Sequence, residues 1–172
     1  KLIGVEIDAD VLAAARSAFG LDELGAKLVV ADARVLVAPA RRGAAVATQR
    51  LAGAFDLIID DVYEGVVGAM QKPDGWADVL AAAHARLRPG GLLVANFLHA
   101  RDERILSRVV LKAARGLRLA HAEYHNRIVV VCRGRSLDAA AATKLMRAEP
   151  LLGEAFAKSS VRTISLAPAT SR

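Results

Sequence analysis

Phe55-Asp56-Leu57-Ile58-Ile59-Asp60-Asp61 reads as a short apolar strand that runs straight into two adjacent acids. Downstream, Leu87-Arg88-Pro89-Gly90-Gly91-Leu92-Leu93 is a tight turn that opens another apolar strand, Leu92 to Phe97. Between them Val79, Leu80, Ala83 and Leu87 recur at helical spacing, which predicts a helix over about residues 75–87. Apolar strands separated by helices belong to a parallel sheet covered on both faces.

The pattern extends in both directions. Leu2 to Ile7 is a strand, Asp8-Ala9-Asp10 offers an N-cap for a helix over about 10–19, and Gly20 stops it. Lys27 to Ala31 is a second strand, ending in Asp32; residues 37–53 read as a loop followed by a weak helix. After Asp61, the glycines at 65, 68 and 75 with Pro73 predict a flexible segment. A helix over about 101–114 precedes strands near 117–123 and 127–133, which are too close for a helical crossover and so antiparallel. Residues 137–148 read as helical. The expected organisation is one α/β domain over residues 1–149 and a weakly specified tail over 150–172.

Composition narrows the classes. A chain of 172 residues, 54% hydrophobic and 24% charged, is globular and of single-domain size. No apolar run approaches the roughly 18–20 residues of a membrane span and no signal-peptide pattern opens the chain, so a cytoplasmic location is expected. The single cysteine, Cys132, cannot form an internal disulfide or a cysteine-rich metal site, and His84, His99, His121 and His125 show no metal-ligand spacing. Charge is uneven: residues 1–100 carry net −2 and residues 101–172 net +8. Aromatics are only 4%, which leaves few platforms for base stacking and argues against a nucleic-acid partner.

In an open parallel sheet, ligands bind beyond the carboxyl ends of the strands. Acids gather there: Glu6 and Asp8, then Asp32, then Asp60 and Asp61. An ionised carboxylate can accept both hydroxyls of a ribose, which suits Glu6, while Asp32 can accept from an adenine amino group. Asp8 and Asp10 read as caps.

Taken in order, Val5-Glu6-Ile7-Asp8, Val30-Ala31-Asp32-Ala33, Phe55 to Asp61 and Leu87 to Leu93 resemble a class I S-adenosylmethionine-dependent transferase, closest to the spermidine synthase group, over roughly residues 2–133. The resemblance implies a Rossmann-like, doubly wound, mostly parallel sheet with a terminal antiparallel strand pair. It implies S-adenosylmethionine or its decarboxylated form as cofactor, bound by Glu6, Ile7, Asp32, Ala33 and Asp60. It makes Asp61 the group that binds and deprotonates an attacking amine, and it places Glu64 and Tyr63 at the substrate, a small amine. Trp76, after Pro73-Asp74-Gly75, reads equally as the wall of a substrate pocket or as the anchor of its helix. The chain opens on Lys1 and enters a strand at once, so a preceding strand with the family's glycine-rich loop is expected upstream, its place lying between the strands near 2–7 and 55–59. Val62 and Tyr63 stand where the spermidine synthase turn carries small hydroxyl residues.

Aminopropyl transfer is the leading reading, with methyl transfer to a small molecule as the alternative on the same fold. A non-catalytic binding module using the basic second half, and a nicotinamide oxidoreductase, are readings from other classes. A homodimer is left open.

Overall fold

The computed structural model describes residues 1–37, 54–66, 69–108, 115–151 and 156–165. The weak helix expected within 37–53 lies outside these residues, as do Gly68 and the second half of the helix expected over 101–114. The chain divides into two compact units, Lys1–Ala52 and Gly53–Arg172.

In the first unit, β1 (Ile3–Glu6) and β2 (Lys27–Val30) pair in parallel, with Ile3 opposite Lys27 and Glu6 opposite Val30. Between them α1 (Ala9–Phe19) begins where the Asp8 carboxylate accepts from the N–H groups of Asp10 and Val11, and it ends at Gly20, whose φ of 61° suits a residue without a Cβ. Asp8 is therefore the cap, and Asp10 lies in the first turn. A short α2 (Ala33–Val37) follows Asp32 and buries Leu36.

In the second unit, among the described residues, a five-stranded sheet has the order β3-β6-β8-β7-β9. Its members are β3 (Phe55–Asp60), β6 (Leu87–Phe97), β7 (Arg115–His121), β8 (Arg127–Cys132) and β9 (Ser159–Ser165). β3 and β6 run parallel across the helix α3 (Trp76–Ala85), and the remaining pairs are antiparallel, including the expected pair β7–β8. Leu93, Ala95 and Phe97 are fully buried and alternate with half-buried Leu92, Val94 and Asn96, the period of a strand with one core face. α3 packs on β6 and contributes Trp76, Leu80 and Ala83 to that core. α4 (Ala139–Ala148), capped by Asp138, packs on β9.

Four local expectations are corrected. The segment after Asp61 is a hairpin, β4 (Glu64–Val66) against β5 (Ala69–Gln71), because backbone pairing stabilises a stretch that its glycines alone mark as flexible. The helix at 101–114 is a 3₁₀ helix over Asp102–Arg108 in its described part. Within the supposed tail, Ser159–Ser165 is a strand paired along all of β7, from His121 opposite Ser159 to Arg115 opposite Ser165. Its serines and Arg162 hide a β-branched pattern (Val161, Thr163, Ile164) that needs a partner strand to become legible. The sheet is not covered on both faces at β3, an edge strand whose Leu57 and Ile59 are 49% and 68% exposed.

The turn at Arg88-Pro89-Gly90-Gly91 sits inside β6. Leu87 lies opposite Phe55 and Leu92 opposite Leu57, so β6 uses more residues than β3 to cover the same step. Gly90 has φ 82°, and a Cβ on Gly91 would lie 2.9 Å from the Phe55 carbonyl oxygen and 3.0 Å from that of Arg88. Backbone atoms cannot yield as a flexible side chain can. Gly91→Ala is therefore expected to lower stability by about 1–3 kcal/mol in urea unfolding. Gly65→Ala, whose new methyl would meet only Met70 Sδ at 3.7 Å, should stay within about 0.5 kcal/mol of the parent.

Candidate active site

At the carboxyl end of β3 the extended backbone turns successive side chains to opposite faces, and the two adjacent acids part company. Asp60 points inward and is 5% exposed; Asp61 points outward and is exposed. Asp60 Oδ2 accepts from Lys72 Nζ at 2.7 Å, and its Oδ1 accepts from Trp76 Nε1 and from the Val62 N–H, both at 3.2 Å. Lys72 also donates to the Val62 carbonyl at 2.9 Å, and its ammonium lies 4.3 Å from the Tyr63 ring centre and 5.5 Å from that of Phe97. With the Lys72 side chain 2% exposed, this is a buried ion pair. Burial pushes the Lys72 ammonium below its ordinary pKa, while Asp60 pulls it back up.

Two of the expected site residues meet at this pair. Asp60, expected to bind cofactor, has its carboxylate enclosed and taken by three donors from its own chain. Of the two readings of Trp76, the helix anchor describes its surroundings: it is buried at the start of α3 with its indole N–H directed at Asp60.

Tyr63, expected at the substrate, is engaged with the end of β6. Its hydroxyl donates to the Asn96 carbonyl and accepts from the Leu98 N–H, each at 2.7 Å, so it clamps the end of β6 and has no proton left for a substrate. Desolvation by burial, with the nearby charges of Asp60, Asp102 and Asp61, pushes its pKa up to about 12, against the lowering effect of the Leu98 N–H.

Asp61 stands exposed at the carboxyl end of β3. Its Oδ1 accepts from Asn96 Nδ2 at 2.8 Å, and Asn96 Oδ1 in turn accepts from Asn126 Nδ2 at 3.2 Å. A chain of two amides thus holds an exposed carboxylate at the sheet's carboxyl edge. Glu64 is exposed on β4, opposite Gln71.

The remaining expected residues belong to the first unit. Glu6 ends β1 half-buried, with Oε1 accepting the Asp8 N–H at 3.0 Å. Ile7 follows it, 63% exposed. Asp32 accepts from Arg34 through the backbone N–H and through Nε, both at 2.8 Å, and Ala33 begins α2. Asp32 thus carries the local capping role as well as the acidic character.

The sequence reading missed Lys72, Asn96 and Asn126. Asn96 had a signal, a lone amide in an otherwise apolar strand; Lys72 had none, because no periodicity links it to Asp60.

The fold can now be set against known proteins. A solved structure of a probable spermidine synthase from Corynebacterium glutamicum ATCC 13032 matches with a TM-score of 0.57 at 20% identity, over 93% of this chain and 57% of that one. The two share a Rossmann-like α/β fold. This chain therefore spans little more than half the length of that structure. TrmN from Thermus thermophilus matches with a TM-score of 0.47 at 21% identity, over 76% of this chain and 36% of that one. No protein-family model and no curated protein matches the chain. No helix among the described residues is long and apolar enough to cross a membrane.

Two tests follow from the geometry. Lys72→Met leaves the Asp60 carboxylate buried without its countercharge and is expected to cost about 3–5 kcal/mol in urea unfolding, with part recovered when Asp60→Asn is added. A loss under about 1 kcal/mol would show that water reaches Asp60. For Tyr63, a folded-state pKa raised above the ordinary value means that its contribution to stability is complete below pH 10.0 and is lost as pH rises toward about 12. Unfolding measured across that range, beside the phenolate absorbance, should show a falling stability that Tyr63→Phe flattens.

Proposed function

We propose that the protein is an S-adenosylmethionine-type transferase that moves an aminopropyl or methyl group to a small amine, with Asp61 as the residue nearest the chemistry. The observation that supports this most is the contrast at the end of β3. One acid is consumed by a buried ion pair, while its neighbour is exposed, charged and held in place by Asn96.

The residues present suit such a cofactor. Glu6 has acceptor capacity left after its single bond to the Asp8 N–H and would hold the ribose hydroxyls. Ile7 offers an exposed apolar surface to the adenine, and Asp32 and Ala33 would flank it, Asp32 retaining lone pairs beyond those that Arg34 uses. The sulfonium supplies an already activated carbon, so the protein contributes positioning and proton transfer. An ammonium has no lone pair to attack with, so the acceptor must first give up a proton; Asp61 would bind the ammonium and take that proton. The Asn96 amide, fixed from behind by Asn126, would keep the carboxylate aimed. Glu64 would meet a further amine of the acceptor.

Calorimetry with S-adenosylmethionine and its decarboxylated form, followed by turnover with a panel of amines, tests the reading. Glu6→Ala should weaken nucleoside binding about 10- to 150-fold. Asp61→Asn keeps shape and loses charge; it should spare cofactor binding and reduce kcat about 100- to 10,000-fold. Near-normal turnover in the Asn variant would remove Asp61 from the chemistry, and failure of both sulfonium compounds to bind would remove the transferase reading.

A further inference from the structure

A cleft of about 520 Å³ opens within the second unit, between β5 and the stretch that follows β6. Ala69 and Met70 line it from the hairpin, Leu98 and His99 from the end of β6, and His125 and Arg127 from the start of β8. Among the described residues, every titratable side chain that lines it is an imidazole or a guanidinium, and none is a carboxylate. A pocket built for a bare polyamine would have the opposite lining, since ammonium groups need acids to replace their water.

The cation at Arg127 is only partly balanced. Its Nε lies 3.5 Å from Glu103 Oε1, but the same carboxylate takes Arg118 at 2.9 Å, so one acid serves two guanidiniums. The next acid in the chain, Asp102, pairs with Arg101 at 3.6 Å. The cleft also adjoins the site already described. His125 and Arg127 flank Asn126, whose amide supports Asn96 and through it Asp61, and Leu98 is the residue whose N–H Tyr63 accepts.

We infer that this cleft binds the anionic end of a small molecule, a carboxylate or phosphate attached to a short apolar portion. Arg127 supplies a planar fork that fits two oxygens of such a group, and His99 and His125 supply ring N–H donors. Met70 and Leu98 cover the apolar portion. The inference deepens the reading given under Proposed function and rests on it for one point, that the molecule is the acceptor. On that reading the acceptor carries an acid as well as an amine, with the amine toward Asp61 and the acid toward Arg127.

The test is a titration of the whole chain with inorganic phosphate, acetate and putrescine at constant ionic strength, read from the histidine ring signals by NMR. Phosphate or acetate should shift the His99 and His125 ring signals saturably, while those of His84 and His121 stay put. Arg127→Gln should weaken that binding about 10- to 100-fold. Because Arg127→Gln also disturbs Glu103, the double variant His99→Asn/His125→Asn leaves that pair intact and should weaken phosphate binding as well, read by calorimetry. Shifts that rise linearly and equally at all four histidines, or saturable binding of putrescine in place of the anions, would overturn the inference. Binding of an S-adenosylmethionine analogue, measured on the same samples, separates the two readings. Anion binding without nucleoside binding sinks the transferase and keeps the cleft; nucleoside binding without anion binding does the reverse.

Discussion

The second unit is organised around one buried charge pair. Asp60 and Lys72 are both nearly inaccessible to water, and each is the other's countercharge at 2.7 Å. Removing two ions from water costs several kcal/mol each, and a 2.7 Å contact, an indole N–H, a backbone N–H and a backbone carbonyl are what offset it. Those partners come from the end of β3, from the segment after β5 and from the first residue of α3. The electrostatic requirement therefore ties three pieces of backbone to one point. Tyr63 and Phe97 close the ammonium off with their rings.

What happens at the sheet's edge depends on that anchor. Because Asp60 is turned inward and held, Asp61 must turn outward, and it does so from a backbone with little freedom to drift. The hydroxyl of Tyr63 then bridges Asn96 and Leu98, so the end of β6 is fixed by the same loop that presents Asp61. Preorganisation of this kind is what a proton-accepting carboxylate needs, since a small displacement at such a site is costly in rate.

The charges near this edge are separated by sign. Asp61 and Glu64 lie on the side of β3 and β4, and the cleft beside them is lined by His99, His125 and Arg127. That separation would suit a molecule with both an amine and an acid better than one that is cationic throughout. Two of the basic residues after residue 100, Arg118 and Arg127, share the one carboxylate of Glu103.

Much of the fold was written in short-range patterns. Asp8 and Asp138 cap their helices through their own carboxylates, and Gly20 ends α1 in the left-handed region. Pro89, Gly90 and Gly91 mark the turn that lets β6 lie beside β3, and the short link at 121–127 forces β7 and β8 to be antiparallel. Each of these depends on neighbours a few residues apart, so the amino-acid order alone decides it. The strand Ser159–Ser165, the hairpin after Asp61 and the fates of Asp60, Tyr63 and Trp76 were decided elsewhere. Asp60 and Asp61 are chemically identical and adjacent; only the arrival of Lys72 and Trp76 on one side makes the first structural and leaves the second available. Long-range partners of that kind have no period and no spacing rule, and so the sequence determined where the acids stand while the tertiary structure decided which of them is enclosed and which is exposed.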